Sequence, residues 1–375
     1  MKLKISRKSF VEALSIASRF TTSKAQLPIL GNVLLEAKNN KLNISATNLE
    51  MSVSLAIASK IEKEGTITVP SKVLYEVVSN LNSESIDLAV EKEQLCLESE
   101  YFSSKILGIN ASDFPKIPSS IGSNAFEIDS EALSTALPKI MYSISSDETR
   151  PTLTGALMLF DGVNLSLVST DGFRLSKHSI PLKTKEKNLK IILPKGILAE
   201  LGRVGKDEKL LFDYKKDDKQ VVFQIGSVFL SSRIIEGDFP DYEKIIPTSS
   251  KLKISVDKDD LLQAVKLAGV FARTASNVVN FVVKEKTLKL VAESSQSGSQ
   301  ENSVDVKVDS ESKDVFGGKG EFVIAFNCEF IENYLNSVGN KNLEIGFNDT
   351  NSPGLFLDME DKDLIHLIMP VRLQG

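Results

Sequence analysis

The sequence predicts an α+β protein of three repeated domains, each with two helices packed on antiparallel sheets. Two observations lead there. Three landmarks recur in the same order at a spacing of about 125 residues, too long a period for a solenoid and about right for a domain. Turn-rich polar stretches at 118–125 (IPSSIGSN) and 247–252 (PTSSKL) separate the copies, which places the domains at 1–120, 121–249 and 250–375.

The first landmark is a short alternating strand running into an amphipathic helix. Leu3-Lys4-Ile5 leads into a helix over 7–19, Phe126-Glu127-Ile128 into 130–142, and Leu252-Lys253-Ile254 into 258–273. Apolar residues fall at helical spacing, as in Phe10, Ala13, Leu14, Ala17 and in Leu261, Leu262, Val265, Ala268. Asp129, and Ser255 or Asp257, can cap the second and third of these helices. The second landmark is a hairpin: VLLEAKNNKLNISAT, ALMLFDGVNLSLVST and FVVKEKTLKLVAES, with Asp161-Gly162 the strongest turn signal and Asn39-Asn40 a weaker one. The third is a strand, a second helix (71–81, 195–204, 328–338) and further strands. Pro70 and Pro194 stand at helix starts, where a missing N–H costs little. The copies close on Asp113-Phe114-Pro115, Asp238-Phe239-Pro240 and Ile368-Met369-Pro370.

Composition narrows the function classes. Of 375 residues, 42% are apolar and 25% charged, as in an ordinary globular protein, and no window approaches a membrane span or a secretory leader, so a cytoplasmic protein is expected. Cys96 and Cys328 form no C-x-x-C, and His178 and His366 are the only histidines, so no metal site of usual spacing is expected; both cysteines read as small packed residues. No phosphate loop, dinucleotide fingerprint or nucleophile elbow occurs. Gly317-Gly318-Lys319-Gly320 lacks the spacing, and the paired acids sit in loops or at helix starts, so no catalysis and no cofactor are expected.

The net charge of −5 argues against tight, charge-driven DNA binding by an open surface, but not against DNA held loosely. A domain of this size is a sphere about 35 Å across. Three such spheres in a circle leave a gap of about 5 Å, whereas six leave a hole of about 35 Å, wide enough for a duplex. If the repeat builds a ring, a head-to-tail dimer is the smallest one that admits DNA. The six predicted helices sum to a formal +2, the direction expected for a channel lining and equally that of an ordinary solvated face.

The segments LPILGNVLLE (27–36), ATNLEMSV (46–53), TVPSKVLYEVV (68–78), STDGFRLS (169–176), GDFPDYEKIIP (237–247) and MPVRL (369–373) resemble, in order and across the whole chain, the bacterial DNA polymerase III beta subunit family, the beta sliding clamps. The resemblance implies the DNA clamp fold: a homodimeric ring of six domains around duplex DNA, with helices lining the channel and sheets on the rim. It implies a non-enzymatic processivity factor that tethers the replicative polymerase. Its partners would be the polymerase III alpha subunit, an ATP-driven clamp loader and other proteins carrying short clamp-binding peptides.

The resemblance also assigns residues. The peptide pocket would comprise Leu153 and Gly155 from RPTLTG, and Thr170, Gly172, Arg174 and Leu175 from TDGFRL. Pro240, Lys244 and Ile245 follow from FPDYEKI, Asn351 and Pro353 from NSP, and Leu367, Met369, Pro370, Val371 and Arg372 from the C-terminal run. The apolar members would form a concavity for Leu and Phe side chains, with Arg174 and Arg372 at its rim. Read from residues alone, Leu175, Ile245 and Leu367 are equally core positions, and Gly172 a turn glycine. Phe173 stands where the family often has His, Lys244 where it often has Arg, and Gln374-Gly375 extends past the terminal motif. DNA contact falls on Lys24 and on the loop before Arg150, where Asp147 weakens the case. The subunit joint falls on the edge strand 101–109 with Ile106 as anchor, against Thr274 and Ala275. The alternative from another class is a peptide-binding scaffold that never engages DNA.

Overall fold

The computed structural model describes residues 1–22, 27–182, 188–204, 208–309 and 320–372. Among these, six α-helices occur, two per repeat: α1 Arg7–Ala17, α2 Ser71–Asn80, α3 Ser130–Met141, α4 Lys195–Leu201, α5 Lys258–Ala272 and α6 Cys328–Ser337. The α+β class read from the repeat is the observed one. The helical stripes bury as their periodicity requires: Phe10, Ala13, Leu14 and Ala17 on α1, and Leu261, Val265 and Ala268 on α5.

Capping resolves locally. Ser255 lies inside the strand Leu252–Asp257, and the Asp257 carboxylate caps α5 by accepting the N–H groups of Asp259 and Asp260 at 2.9 and 3.2 Å. Pro70 and Pro194 end their strands and stand at the cap position, one residue before the helix. Both expected hairpin turns form. Asn39 and Asn40 adopt φ of 52° and 57°, and the Asp161 carboxylate accepts the N–H of Val163 and of Asn164 around Gly162 at φ 102°.

By contact density the described chain divides into two compact units. One is Met1–Glu131 with Arg203–Ile234, the other Ala132–Gly202 with Ile235–Gly375. The division runs through the second repeat because strands of that repeat hydrogen-bond outward in both directions. In the first unit the strand Val228–Arg233 pairs antiparallel with Met51–Ala58, joining strands of two repeats in one eight-stranded sheet. A five-stranded sheet completes that unit and ends on the edge strand Phe102–Leu107. In the second unit Arg174–Pro181 pairs with Leu364–Ile368, making a twelve-stranded sheet.

The third repeat has the most aromatic core. Phe326 meets Phe281 and Phe356 edge-on at 5.6 and 5.8 Å, and Tyr334 meets Phe356 at 5.6 Å. Cys96 and Cys328 are buried free thiols, and burial pushes both thiols up. Among the described residues no helix is long and apolar enough to cross a membrane.

Candidate functional site

The site grows from one tight turn. The Asp171 carboxylate accepts the N–H groups of Phe173 and Arg174 at 2.9 and 3.0 Å. The Thr170 hydroxyl donates to the Arg174 carbonyl at 2.6 Å and accepts the Gly172 N–H at 3.0 Å. Gly172 sits at φ 93°, in the left-handed region that glycine enters without strain. The turn delivers Leu175 into the strand Arg174–Pro181, directly opposite Leu367 of Leu364–Ile368.

Leu175 and Leu367 join Leu153, Leu157, Val168, Ile192, Phe239 and Tyr242 in one buried apolar cluster, with Ile235, Ile246 and Leu355 partly exposed against it. Gly155 is buried beside it. A Cβ there would lie 2.2 Å from the Leu193 carbonyl oxygen, so close strand approach excludes any side chain. Around the cluster stand half-exposed or exposed groups: Ile245 on the 3-10 turn Glu243–Ile245, Pro240, Asn351, Pro353 and Met369. The Met369 N–H donates to the Phe173 carbonyl and the Val371 N–H to the Ala325 carbonyl, both at 2.8 Å, which holds the run through Pro370 against the turn. Phe173 itself is exposed. Arg372 is exposed, and Lys244 is exposed with an ion pair to Asp241 at 2.6 Å.

Arg174 departs from its expected place at the rim. Its side chain is only 10% exposed. It pairs with Asp171 at 2.9 Å and lies over the Phe330 and Tyr142 rings at 4.3 and 5.5 Å. Three attractive partners inside outweigh solvation at the surface, so Arg174 braces the turn from behind.

Behind the strands runs a polar network. His366 is fully buried, hydrogen-bonded through Nδ1 to the Ser176 hydroxyl at 2.8 Å and stacked on Tyr334 at 5.0 Å. Burial, aided by the Arg174 charge, pushes its pKa down to about 3. Asp361 pairs with Lys139 and, at 3.1 Å, with His178. Burial lowers the His178 pKa too, against the opposing pull of Asp361. The unfolded chain takes up a proton on His366 near its ordinary value of 6.5, while the folded chain refuses it down to about 3. Stability is therefore full above about 6.5 and falls as pH drops through that window, by at most about 1.4 kcal/mol per pH unit for this group. We expect the melting temperature to fall between pH 7 and 5, and to fall less steeply in His366→Phe. Equal slopes for the two proteins would refute the assignment.

The residues expected at DNA and at the subunit joint are spread elsewhere. Lys24 lies outside the described residues. Arg150 is held by Asp147 at 2.9 Å, so the loop presents a neutralised pair. Ile106 is corrected: it is 7% exposed and faces its own core, because alternation along Phe102–Leu107 turns Leu107, 70% exposed, to the opposite face. Thr274 and Ala275 are exposed just beyond α5. Sequence reading missed the exposed apolar groups near them, Leu267 and Val270 on α5, and also Tyr101 and Leu107. The i, i+3 spacing of Leu267 and Val270, off the buried stripe of α5, was the available signal. It also missed Phe239 and Tyr242, members of the cluster, although both stand in the quoted run 237–247.

Comparison with known proteins agrees along the whole length. Family models match for the DNA polymerase III beta subunit N-terminal domain at residues 1–118, its central domain at 127–241 and its C-terminal domain at 243–372. A beta sliding clamp of Synechocystis is 28% identical with all of both chains covered, and one of Staphylococcus epidermidis is 24% identical over 99% of each. The crystal structure of the Thermotoga maritima DNA polymerase III beta subunit is similar at a TM-score of 0.91 and 27% identity, covering both chains fully. The Bacillus subtilis DNA polymerase sliding clamp shares the fold at a TM-score of 0.92 and 23% identity, again over both full chains. Three domain matches in the family's own order, on a chain whose sequence repeats three times, place it plainly: this chain belongs to the DNA polymerase III beta subunit family, that of the beta sliding clamps.

Proposed function

We propose that this chain works as a sliding clamp: two copies joined head to tail enclose duplex DNA in the bacterial cytoplasm and tether the replicative polymerase by its clamp-binding peptide. It is a non-catalytic accessory subunit, and its domains run 1–120, 121–249 and 250–375. The peptide site is the cluster around Leu153, Leu175 and Leu367, rimmed by Ile245, Met369, Pro370 and Arg372. Its apolar floor suits Leu and Phe side chains, and Met369 is adaptable enough to serve several partners, the polymerase alpha subunit and the clamp loader among them.

The observation that carries the reading is a rule of strand pairing used twice. The closing strand of the second repeat, Val228–Arg233, adds to Met51–Ala58 of the first, and the closing strand of the third, Leu364–Ile368, adds to Arg174–Pro181 of the second. One closing strand, Phe102–Leu107 of the first repeat, has a single strand neighbour among the described residues. One receiving strand, residues 298–305 of the third, pairs among the described residues with Thr287–Ser294 on one side alone. Applying the rule a third time requires a second copy, and head-to-tail use by both copies closes the assembly. It also covers two edges that would otherwise invite aggregation.

Enclosure holds DNA without strong contacts, which is compatible with the net charge of −5. The test is retention. After loading by a clamp loader with ATP, the protein should stay on circular DNA through a high-salt wash and leave within seconds once the circle is cut. Equal retention on circular and linear DNA, or none on either, would sink the clamp reading. The second outcome would favour a peptide-binding scaffold.

A further inference from the structure

The junction between the second and third repeats, read above as the peptide site, has a twin between the first and second. The Thr47 hydroxyl donates to the Met51 carbonyl at 2.9 Å and accepts the Leu49 N–H at 3.0 Å, as Thr170 does with Arg174 and Gly172. Thr68 bridges to Ile109 as Ile192 bridges to Ile235. Asn32 faces Pro70 as Gly155 faces Pro194, and Ser52 faces Ser231 as Leu175 faces Leu367. Phe114-Pro115 closes the first copy as Phe239-Pro240 closes the second. A cleft of about 440 Å³ opens beside this first junction, with Leu34, Ser45, Ser54, Phe114 and Phe229 on its wall, and the Ser52–Ser231 pair lies on the adjoining stretch of the same two strands.

The twins differ in chemistry. Val168, Leu175, Ile192 and Leu367 are replaced at the equivalent places by Ser45, Ser52, Thr68 and Ser231. These hydroxyls are buried and satisfied by one another and by the backbone. Ser52 and Ser231 hydroxyls lie 2.7 Å apart, Ser45 and Ser54 hydroxyls 3.3 Å, and Thr68 donates to the Ile109 carbonyl at 2.8 Å. Gln220 adds a donor to Ser231 at 3.3 Å. Ile29, Leu30 and Phe114 keep an apolar cluster at the first junction, but these four positions offer hydroxyls already committed to one another and to the backbone, so an apolar side chain gains no carbon to pack on from them.

We infer that the facing pair, Leu175 with Leu367 against Ser52 with Ser231, decides which of the two equivalent junctions accepts an apolar peptide. The inference rests on the peptide-site reading of the second junction. Polarity, and not the hydrogen bonding of the turn, makes the selection, because both turns are closed by the same backbone and side-chain bonds.

The test titrates a synthetic peptide containing Leu and Phe, taken from the polymerase, by calorimetry. The wild-type chain should bind one peptide. Leu175→Thr with Leu367→Thr, which brings a hydroxyl pair to the second junction, should bind at least about ten-fold more weakly than Leu175→Val with Leu367→Val. Thr and Val are nearly equal in volume and both suit strands, so the comparison isolates polarity. Equal affinities of the two double variants overturn the inference and leave the peptide-site reading standing. Two peptides of similar affinity on the wild-type chain, the second abolished by Phe114→Asp, also overturn it. A wild-type chain that binds no peptide removes the site reading itself.

Discussion

Met369→Ala combined with deletion of residues 370–375 is expected to abolish binding of a Leu- and Phe-containing polymerase peptide and to leave the dimer intact. The C-terminal run reaches the site through two backbone hydrogen bonds, Met369 to Phe173 and Val371 to Ala325. Truncation removes the second bond together with Pro370 and Val371, half-exposed residues at the rim of the proposed site. Met369 is 40% exposed beside the buried Leu175–Leu367 pair, so its side chain is free to cover an entering ligand. Losing one such apolar anchor typically costs about 2 kcal/mol or more, a factor of about 30 in affinity. With these neighbouring residues gone, the loss should exceed about 100-fold. Lys244→Ala should shift affinity by no more than about three-fold, because Lys244 is exposed and paired only with Asp241. Undiminished peptide binding by the truncated chain would refute the site.

Leu107→Asp together with Val270→Asp should split the dimer. The side chain of Leu107 is the most exposed apolar group on the edge strand Phe102–Leu107, and Val270, 61% exposed, is the most exposed one on α5. Under the proposed head-to-tail pairing, Leu107 stands on the joining edge strand and Val270 on the helix that packs over the receiving strand. A carboxylate forced into a desolvated apolar joint without a partner costs about 2–5 kcal/mol. Two joints per dimer carry the change twice, so the dissociation constant should rise by at least about 1,000-fold. Light scattering at micromolar concentration should report the mass of one chain in place of two, and retention on circular DNA should be lost with it. A variant that keeps the mass of two chains would show that the joint lies elsewhere. Ile106 is the wrong residue for this test: it faces the core of its own sheet, so charging it would unfold the domain before it parted the subunits.

The fold was legible to the extent that its signals are short-range. Six helices were readable from apolar spacing, and observed ends differ from expected ones by at most three residues, as with 195–204 against Lys195–Leu201. Asn39-Asn40 and Asp161-Gly162 announced their turns because the conformations those turns need are ones that few residues adopt. Ser255 against Asp257 stayed open until the strand end was known, since either oxygen could cap α5. Of the candidate site, the motif TDGFRL named the turn and its glycine. It did not tell that Arg174 turns inward, because Tyr142 and Phe330, which hold it there, lie far away in sequence.

What the sequence determined by itself is the threefold repeat, the order of its elements, the class of the fold and the family, all written in patterns within a few residues or in their recurrence. Tertiary structure alone decided which strands face each other. Ser52 meets Ser231, and Leu175 meets Leu367, across separations of 179 and 192 residues, and no local preference encodes that register. Because side chains alternate across a strand, one step of register sets whether Ile106 or Leu107 meets solvent. The same step sets whether two leucines or two serines share a floor.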